Sequence, residues 1–312
     1  QMMLFLNRRG YAGFVSCRAC GYVVKCPHCD VSLSVHRGGK MVCHYCGYET
    51  AGVQNCPSCG SPYIGGFRAG TQQIEELVKR QFPQARVLRM DLDTTKNKGG
   101  HEKILAQFAD EEADIMIGTQ MIVKGHDFPN VTLVGVLAAD MSLYSDDYRS
   151  GERTFQLLTQ AAGRAGRGRS KGEVVIQTYS PDHYSIQMAA KQDYEGFYEK
   201  EMNYRDLMGY PPAAQLMAVL MTGADEEMLQ TAAEYLKKYA IRVMDEGTCQ
   251  VIGPASPYVG KVNDVYRKIL YLKSEDYQML IRIKNHMERY IEINRGFANM
   301  RIQFDFNPMS VF

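Results

Sequence analysis

Four Cys-x-x-Cys turns, Cys17/Cys20, Cys26/Cys29, Cys43/Cys46 and Cys56/Cys59, gather eight of the nine cysteines into one short stretch. A turn of this kind holds two sulfurs about a metal radius apart, and two turns complete a four-thiolate tetrahedron, so four turns call for two structural zinc ions. Gly21, Gly47 and Gly60 follow three of the turns, where left-handed backbone lets amides point at the sulfurs. Pro27 and Pro57 stiffen two of them. Disulfides are the rival use of so many thiols, but they need an oxidising compartment and a secretory signal. The chain opens instead on Gln1-Met2-Met3-Leu4-Phe5-Leu6, a strand-like apolar run without a signal-peptide pattern. A beginning inside a strand leads us to expect a piece cut from a longer protein.

Four turns can pair in three ways. Between the second and third lies Val31 to Val42, whose alternating apolar residues around Gly38-Gly39 read as a hairpin that returns Cys43 beside Cys29. The inner turns, Cys26, Cys29, Cys43 and Cys46, are therefore expected to share one zinc, leaving Cys17, Cys20, Cys56 and Cys59 to the other. His28 and His44 inside the turns, and His36 near the hairpin tip, are expected to be bystanders. Cys249 stands alone and reads as a small core residue.

Net charge of +1 neither demands nor forbids a polyanionic partner, so any nucleic-acid argument must be local. Residues 1 to 63 carry Arg8, Arg9, Arg18, Lys25, Arg37 and Lys40 against Asp30 and Glu49, with Tyr11, Tyr22, Tyr45 and Tyr48 interleaved. Cations and rings in that mixture suit a nucleic-acid surface, and a solvated rim around a metal-held fold accounts for them equally well. No apolar run is long enough to span a bilayer.

After Gly65-Gly66 the texture changes to alternating helices and strands. Thr71 to Phe82 reads as a helix capped by Thr71, Arg86 to Met90 as a strand, Asp91 to Gly100 as a loop and His101 to Phe108 as a helix. Asp114 to Ile117 and Val131 to Leu137 read as further strands. This is the pattern of an α/β fold, an open parallel sheet covered by helices, whose chemistry is expected on loops at the carboxyl ends of strands. Two loops stand out. One runs from Gly118 through Thr119, Gln120, Lys124, Gly125 and Asp127 to Pro129. The other follows a helix as Gln160-Ala161-Ala162-Gly163-Arg164-Ala165-Gly166-Arg167-Gly168-Arg169. Arginines three apart at a helix end lie on one face, and the glycines between them allow close approach, an arrangement suited to a phosphate. Capping of the helix carboxyl end is the plainer reading, and it explains one arginine. Beyond Tyr210-Pro211-Pro212 the predicted order βαββαβ suits a ferredoxin-like split sandwich, with Lys261, Arg267 and Lys268 near one hairpin.

The Gln-x-x-Gly-Arg-x-Gly-Arg run resembles motif VI of superfamily 2 helicases, and the Gly118 to Pro129 loop is similar to motif V of the same lobe. Taken with LFLNRRGY, the four cysteine turns, DDYRSGERTFQLLTQAAGRAGR and the later Tyr-Pro-Pro, the chain resembles the bacterial replication-restart helicases of that superfamily. The resemblance implies a RecA-like second motor lobe, helices on both faces of its parallel sheet, begun by a first strand at residues 1–15 and resumed at 64–204. A zinc insert at 16–63 and a carboxyl-terminal α+β domain at 205–312 complete the expected arrangement. It implies that Arg167 is an arginine finger on the γ-phosphate, that Arg164 assists, and that Gln160 reads the nucleotide or links to motif V. Gly125 and Asp127 would face nucleotide and lobe interface, while Thr119, Gln120 and Lys124 would touch the DNA backbone. Arg149, Glu152 and Arg153 match the pattern without an assigned role.

The family's phosphate loop and magnesium-binding acidic box are not among these residues: Gly39-Lys40 and Gly260-Lys261 are followed by Met and Val. Asp110-Glu111-Glu112-Ala113-Asp114 resembles an acidic box only in composition and reads as a solvated turn. ATP with magnesium is therefore expected only together with a first lobe, and the chain by itself is expected to be inactive. By the resemblance the whole enzyme would be a cytoplasmic 3′-to-5′ DNA helicase at replication forks on the nucleoid. Its partners would be forked and single-stranded DNA, single-strand DNA-binding protein and primosome proteins, with no membrane. The rival readings are a zinc-stabilised nucleic-acid scaffold without catalysis and a superfamily 2 RNA helicase.

Overall fold

In the computed structural model the described residues are 1–6, 15–17, 19–20, 22–29, 31–35, 39–43, 45–66, 70–122, 127–143, 147–168, 170–245 and 247–309. The chain opens with β1 (Met2–Leu6), and the cysteine-rich stretch carries β2 (Val15–Cys17), β3 (Ser34–Val35), β4 (Met41–Val42), β5 (Glu49–Thr50) and β6 (Ile64–Gly66). There follow α1 (Thr71–Gln81), β7 (Val87–Met90), α2 (Gly100–Ala109), β8 (Ile115–Gly118), β9 (Leu133–Leu137), α3 (Ser150–Ala162), β10 (Glu173–Ile176), α4 (Tyr184–Lys191) and α5 (Tyr194–Met208). The last stretch holds β11 (Gln215–Gly223), α6 (Glu226–Val243), β12 (Gln250–Ala255), β13 (Lys261–Val262), β14 (Val265–Ser274), α7 (Tyr277–Ile293) and β15 (Arg301–Phe306). Two compact units result, residues 1–13 with 67–201 and residues 14–66 with 202–312. The cysteine-rich stretch thus shares a unit with the carboxyl-terminal domain.

In the first unit a parallel sheet runs β10-β9-β1-β8-β7. Its inner strands are near-continuous apolar runs, as strands covered on both faces must be. Met3, Phe5, Met116, Val134 and Val136 are buried with Phe108 of α2 and Phe155 and Leu158 of α3 in one core. The helix over residues 71–81 forms as the spacing predicts, but Thr71 does not cap it. Gly70 holds the cap position, and the buried Thr71 is the first helical residue, its hydroxyl donating to Asp91 Oδ2 at 2.6 Å. The acidic string at 110–114 is the predicted turn. Asp114 accepts from the backbone and guanidinium of Arg86 at 2.7–3.1 Å, and these bonds hold its carboxyl down at about 2. Strand β10 and helices α4 and α5 add to the elements that the sequence pattern marks.

In the second unit the sheet order β12-β14-β11-β15, all antiparallel, with α6 and α7 sharing one core, is that of a split βαβ sandwich. Asp225 caps α6 by accepting from Met228 N–H, and Asp276 caps α7 by accepting from Gln278 N–H, which starts α7 at Tyr277. An added short strand, β13, pairs with β14. In the cysteine-rich stretch, β2 pairs with β6 and β3-β4-β5 form a second small sheet. Among the described residues no helix is long and apolar enough to cross a membrane.

Candidate metal centres and motor loops

The predicted hairpin forms, Ser34 opposite Val42 and Val35 opposite Met41, and it brings the second and third turns together. The pairing of β2 with β6 sets Cys17 opposite Ile64, which delivers the fourth turn to the first. The sulfurs of Cys26, Cys29, Cys43 and Cys46 lie within 4.8 Å of one another, and so do those of Cys17, Cys20, Cys56 and Cys59. Cys17 to Cys59 measures 3.7 Å, and Cys20 to Cys56 and Cys26 to Cys46 each 3.6 Å. A zinc ion about 2.3 Å from each of four sulfurs requires edges of about 3.8 Å. The residues fit the ion in both places.

Gly47 and Gly60 adopt φ of +77° and +69°, as the turns demand, while Gly21 lies outside the described residues. Burial resists ionisation of Cys17, yet the N–H groups of Cys20 and Ala19 and the neighbouring thiols bring it down to about 6. Cys43 is likewise brought to about 7, against burial, by the N–H groups of Cys46 and Tyr45 and adjacent thiols. Burial and its thiol neighbours push Cys29 up to about 12. Thiols crowded around one point compete for protons in this way, and a cation at that point relieves all four. Cys26→Ser is expected to remove one zinc of two and expose Cys29, Cys43 and Cys46 to alkylation, and Cys17→Ser to do the same for the other quartet. Metal analysis with peptide-level labelling checks this.

His28 is not part of either quartet. His36 and His44 lie outside the described residues, and Cys249 is buried in the core of the carboxyl-terminal domain.

The two loops singled out in the first unit meet at the amino edge of the sheet. Thr119 and Gln120 follow β8 at its carboxyl end, where Ile122 N–H closes a turn on Thr119 O. The chain must then return to begin β9, and Asp127 lies on that return; Lys124 and Gly125 fall outside the described residues. Helix α3 ends at Ala162, so Gln160 sits exposed in its last turn, and Arg164 and Arg167 lie in the loop beyond it, not on a helical face. Because that loop leads into β10, it too is at the amino edge. Of the described residues singled out on these two loops, Thr119 and Gln120 occupy the carboxyl end, where a parallel sheet is expected to carry its chemistry.

Arg167 donates from Nε to Gly163 O at 2.6 Å and pairs with Asp127 Oδ1 at 3.1 Å, with 39% of its side chain still exposed. It therefore serves as the helix cap of the plainer reading and also reaches the other loop. Arg164 is more enclosed, and burial together with the adjacent Arg167 cation lowers its pKa, Asp127 opposing. Arg169 lies outside the described residues. The glycines stitch the loops together. Gly166, at φ +72°, donates to Val131 O at 3.0 Å, and a side chain on it would meet Gly172 N at 2.6 Å. A side chain on Gly168 would collide with Pro129 O. Since backbone cannot yield as a flexible side chain does, Gly168→Ala is expected to destabilise the first unit by about 1–3 kcal/mol, seen as a lower melting temperature.

A buried ion cluster precedes α3, and the sequence pattern does not mark it. Asp147, its side chain 4% exposed, receives Arg149 Nε at 3.3 Å and an Arg153 guanidinium nitrogen at 2.5 Å. The cluster ties the loop before α3 to its first turn and gives Arg149 and Arg153 a positioning role. The available signal is an acid two residues before Arg149 and six before Arg153 at a helix start.

Residues 26–50 match the PriA DNA helicase Cys-rich region domain, 66–169 the helicase conserved C-terminal domain and 206–309 the primosomal protein N C-terminal domain. The replication restart protein PriA of Bacillus subtilis (strain 168) is 46% identical over 312 residues, covering 99% of this chain and 38% of that protein. That of Synechocystis sp. is 40% identical over 100% of this chain and 37% of its own length. The chain belongs to the PriA family. It spans about two-fifths of the length of the PriA proteins it matches, 38%, 37% and 42% for those of Bacillus subtilis, Synechocystis and Chlamydia pneumoniae. The Cys-rich region match encloses the inner quartet, and the outer quartet, two of its cysteines on each side of that match, closes a second site.

Proposed function

We propose that this chain supplies the second motor lobe of an ATP-dependent DNA helicase, together with a zinc-held surface and a carboxyl-terminal domain that engage forked and single-stranded DNA. The observation that carries the reading is Arg167, half exposed on a loop fastened through Gly166 and Gly168 to the loop of Asp127. A guanidinium fork held by backbone suits the charge that develops on a transferring phosphoryl group, where such a residue typically contributes about 1,000- to 100,000-fold. In this reading Arg167 reaches the γ-phosphate across a cleft closed by a first lobe, Arg164 adds positive charge, and Gln160 links the nucleotide to the Asp127 loop. Gly125 and Asp127 face nucleotide and lobe interface. Thr119 and Gln120, beyond the carboxyl end of β8, track the DNA backbone together with Lys124. The zinc module is a rigid surface against which the motor pulls, since four thiolates leave neither ion a position for substrate. Single-strand DNA-binding protein and primosome components are the proposed protein partners, and replication restart in the bacterial cytoplasm the proposed setting.

The chain alone is expected to hydrolyse no ATP. Joined to a lobe carrying a phosphate loop, it is expected to give turnover stimulated more by forked or single-stranded DNA than by matched RNA. Appreciable turnover by the chain alone would overturn its assignment as a lobe that needs a partner; none after joining would favour a zinc scaffold outside any motor, and stronger stimulation by RNA would point to an RNA helicase.

A further inference from the structure

The carboxyl-terminal domain reaches the inner zinc site through one tight turn. Between β13 and β14, Asn263 and Asp264 both take left-handed backbone, φ +50° and +60°, and Val262 pairs with Val265 across them. This is the two-residue hairpin whose twist suits the strands and which Asn and Asp tolerate. From that turn the Asn263 N–H donates to Cys29 Sγ at 3.2 Å, and the Asp264 N–H to His28 O at 2.9 Å. The Asp264 carboxylate meets His28 Nδ1 at 2.6 Å, and the Lys261 ammonium donates to Pro27 O at 3.0 Å. Val262 packs against the small apolar cluster that includes Val24, Leu33 and Met41. Pro27, His28 and Cys29 are thus each held from the hairpin. Among the described residues no such contact from the carboxyl-terminal domain reaches Cys17, Cys20, Cys56 or Cys59.

We infer that the β13–β14 hairpin is the outer coordination shell of the inner zinc site and governs how firmly that ion, and not the other, is retained. A metal-bound thiolate keeps much of its negative charge, and a fixed N–H donor disperses that charge and fixes the direction of the sulfur lone pairs. Such partners typically change metal affinity about 10- to 100-fold. The contact is a backbone donor presented by a turn, so it depends on the turn's position more than on the Asn263 side chain. Lys261 and Asp264 set that position. Because coupling of this kind is reciprocal, the metal in turn steadies the hairpin.

The test follows zinc release to a chelator while the exposed thiols are alkylated and located by peptide mass spectrometry. Lys261→Ala with Asp264→Gly removes both side-chain anchors, and glycine preserves the left-handed backbone. Cys26, Cys29, Cys43 and Cys46 are expected to be labelled about 10-fold faster or more, with Cys17, Cys20, Cys56 and Cys59 at the parental rate. Unchanged labelling of the inner quartet, or equal acceleration of both, overturns the inference. Should the double variant fail to fold, His28→Ala breaks the same ion pair from the zinc side with the hairpin sequence intact. It must give the same selective acceleration, and parental rates there overturn the inference equally.

Discussion

Once the chain is joined to a lobe carrying a phosphate loop, Arg167→Ala will lower ATP turnover about 1,000- to 100,000-fold while nucleotide binding changes little. At about 1.4 kcal/mol per tenfold, that loss corresponds to about 4–7 kcal/mol of transition-state stabilisation. The bonds Arg167 makes in the structure are much weaker. Its hydrogen bond to Gly163 O is worth about 0.5–1.5 kcal/mol, and its exposed pair with Asp127 about 0–1 kcal/mol. A structural role therefore predicts a slightly lower melting temperature and near-normal turnover, whereas a finger predicts near-normal melting and almost no turnover. Survival of more than about a tenth of the parental rate would sink the finger assignment. Arg164→Ala is expected to act in the same direction and less strongly.

Removing both zinc ions with a chelator will unfold the cysteine-rich stretch and leave the parallel sheet of the first unit standing. The small core of the cysteine-rich stretch contains the buried apolar residues Val15, Val24, Leu33 and Met41, and Cys26, Cys29 and Cys43 of the inner quartet supply its other buried members. Each apolar side chain contributes about 1.5–3 kcal/mol, whereas a structural zinc ion in a small module contributes about 10–16 kcal/mol. Two ions thus outweigh the apolar side chains packed around them. Hydrogen exchange read by mass spectrometry should show protection lost over residues 15–66 and kept in β1, β8 and β9. Protection that persists in the cysteine-rich stretch after complete zinc removal refutes a metal-held module.

Much of this is legible in the sequence because the signals are local. A hairpin between the second and third cysteine turns decides which turns share an ion, and the helical spacing after Gly70 marks α1. What stays hidden depends on contacts distant in sequence. Thr71 looks like a cap until Asp91 takes its hydroxyl. The position of the arginine loop at the amino edge follows from the handover of α3 to β10, and Glu173 to Ile176 is a short edge strand with alternate residues exposed. Helix α5 leaves Tyr194, Tyr198 and Leu207 exposed, so no clean apolar stripe announces it. Of the residues expected at the motor site, the structure brings Asp127 to Arg167, while Thr119 and Gln120 sit at the far end of the strands.

The place of β1 bears on how the protein is made. It lies between β8 and β9, so Met2 finds its neighbours only at Ile115 and Leu133. A ribosome must therefore release the whole cysteine-rich stretch, complete at β6, before that apolar strip meets either of these neighbours. Metal capture by the nascent chain can precede closure of the sheet, and by pinning Val15 opposite Gly66 it shortens the loop that closure must bridge. Zinc starvation during synthesis should accordingly prolong the exposure of an unpaired strand and raise the yield of aggregate.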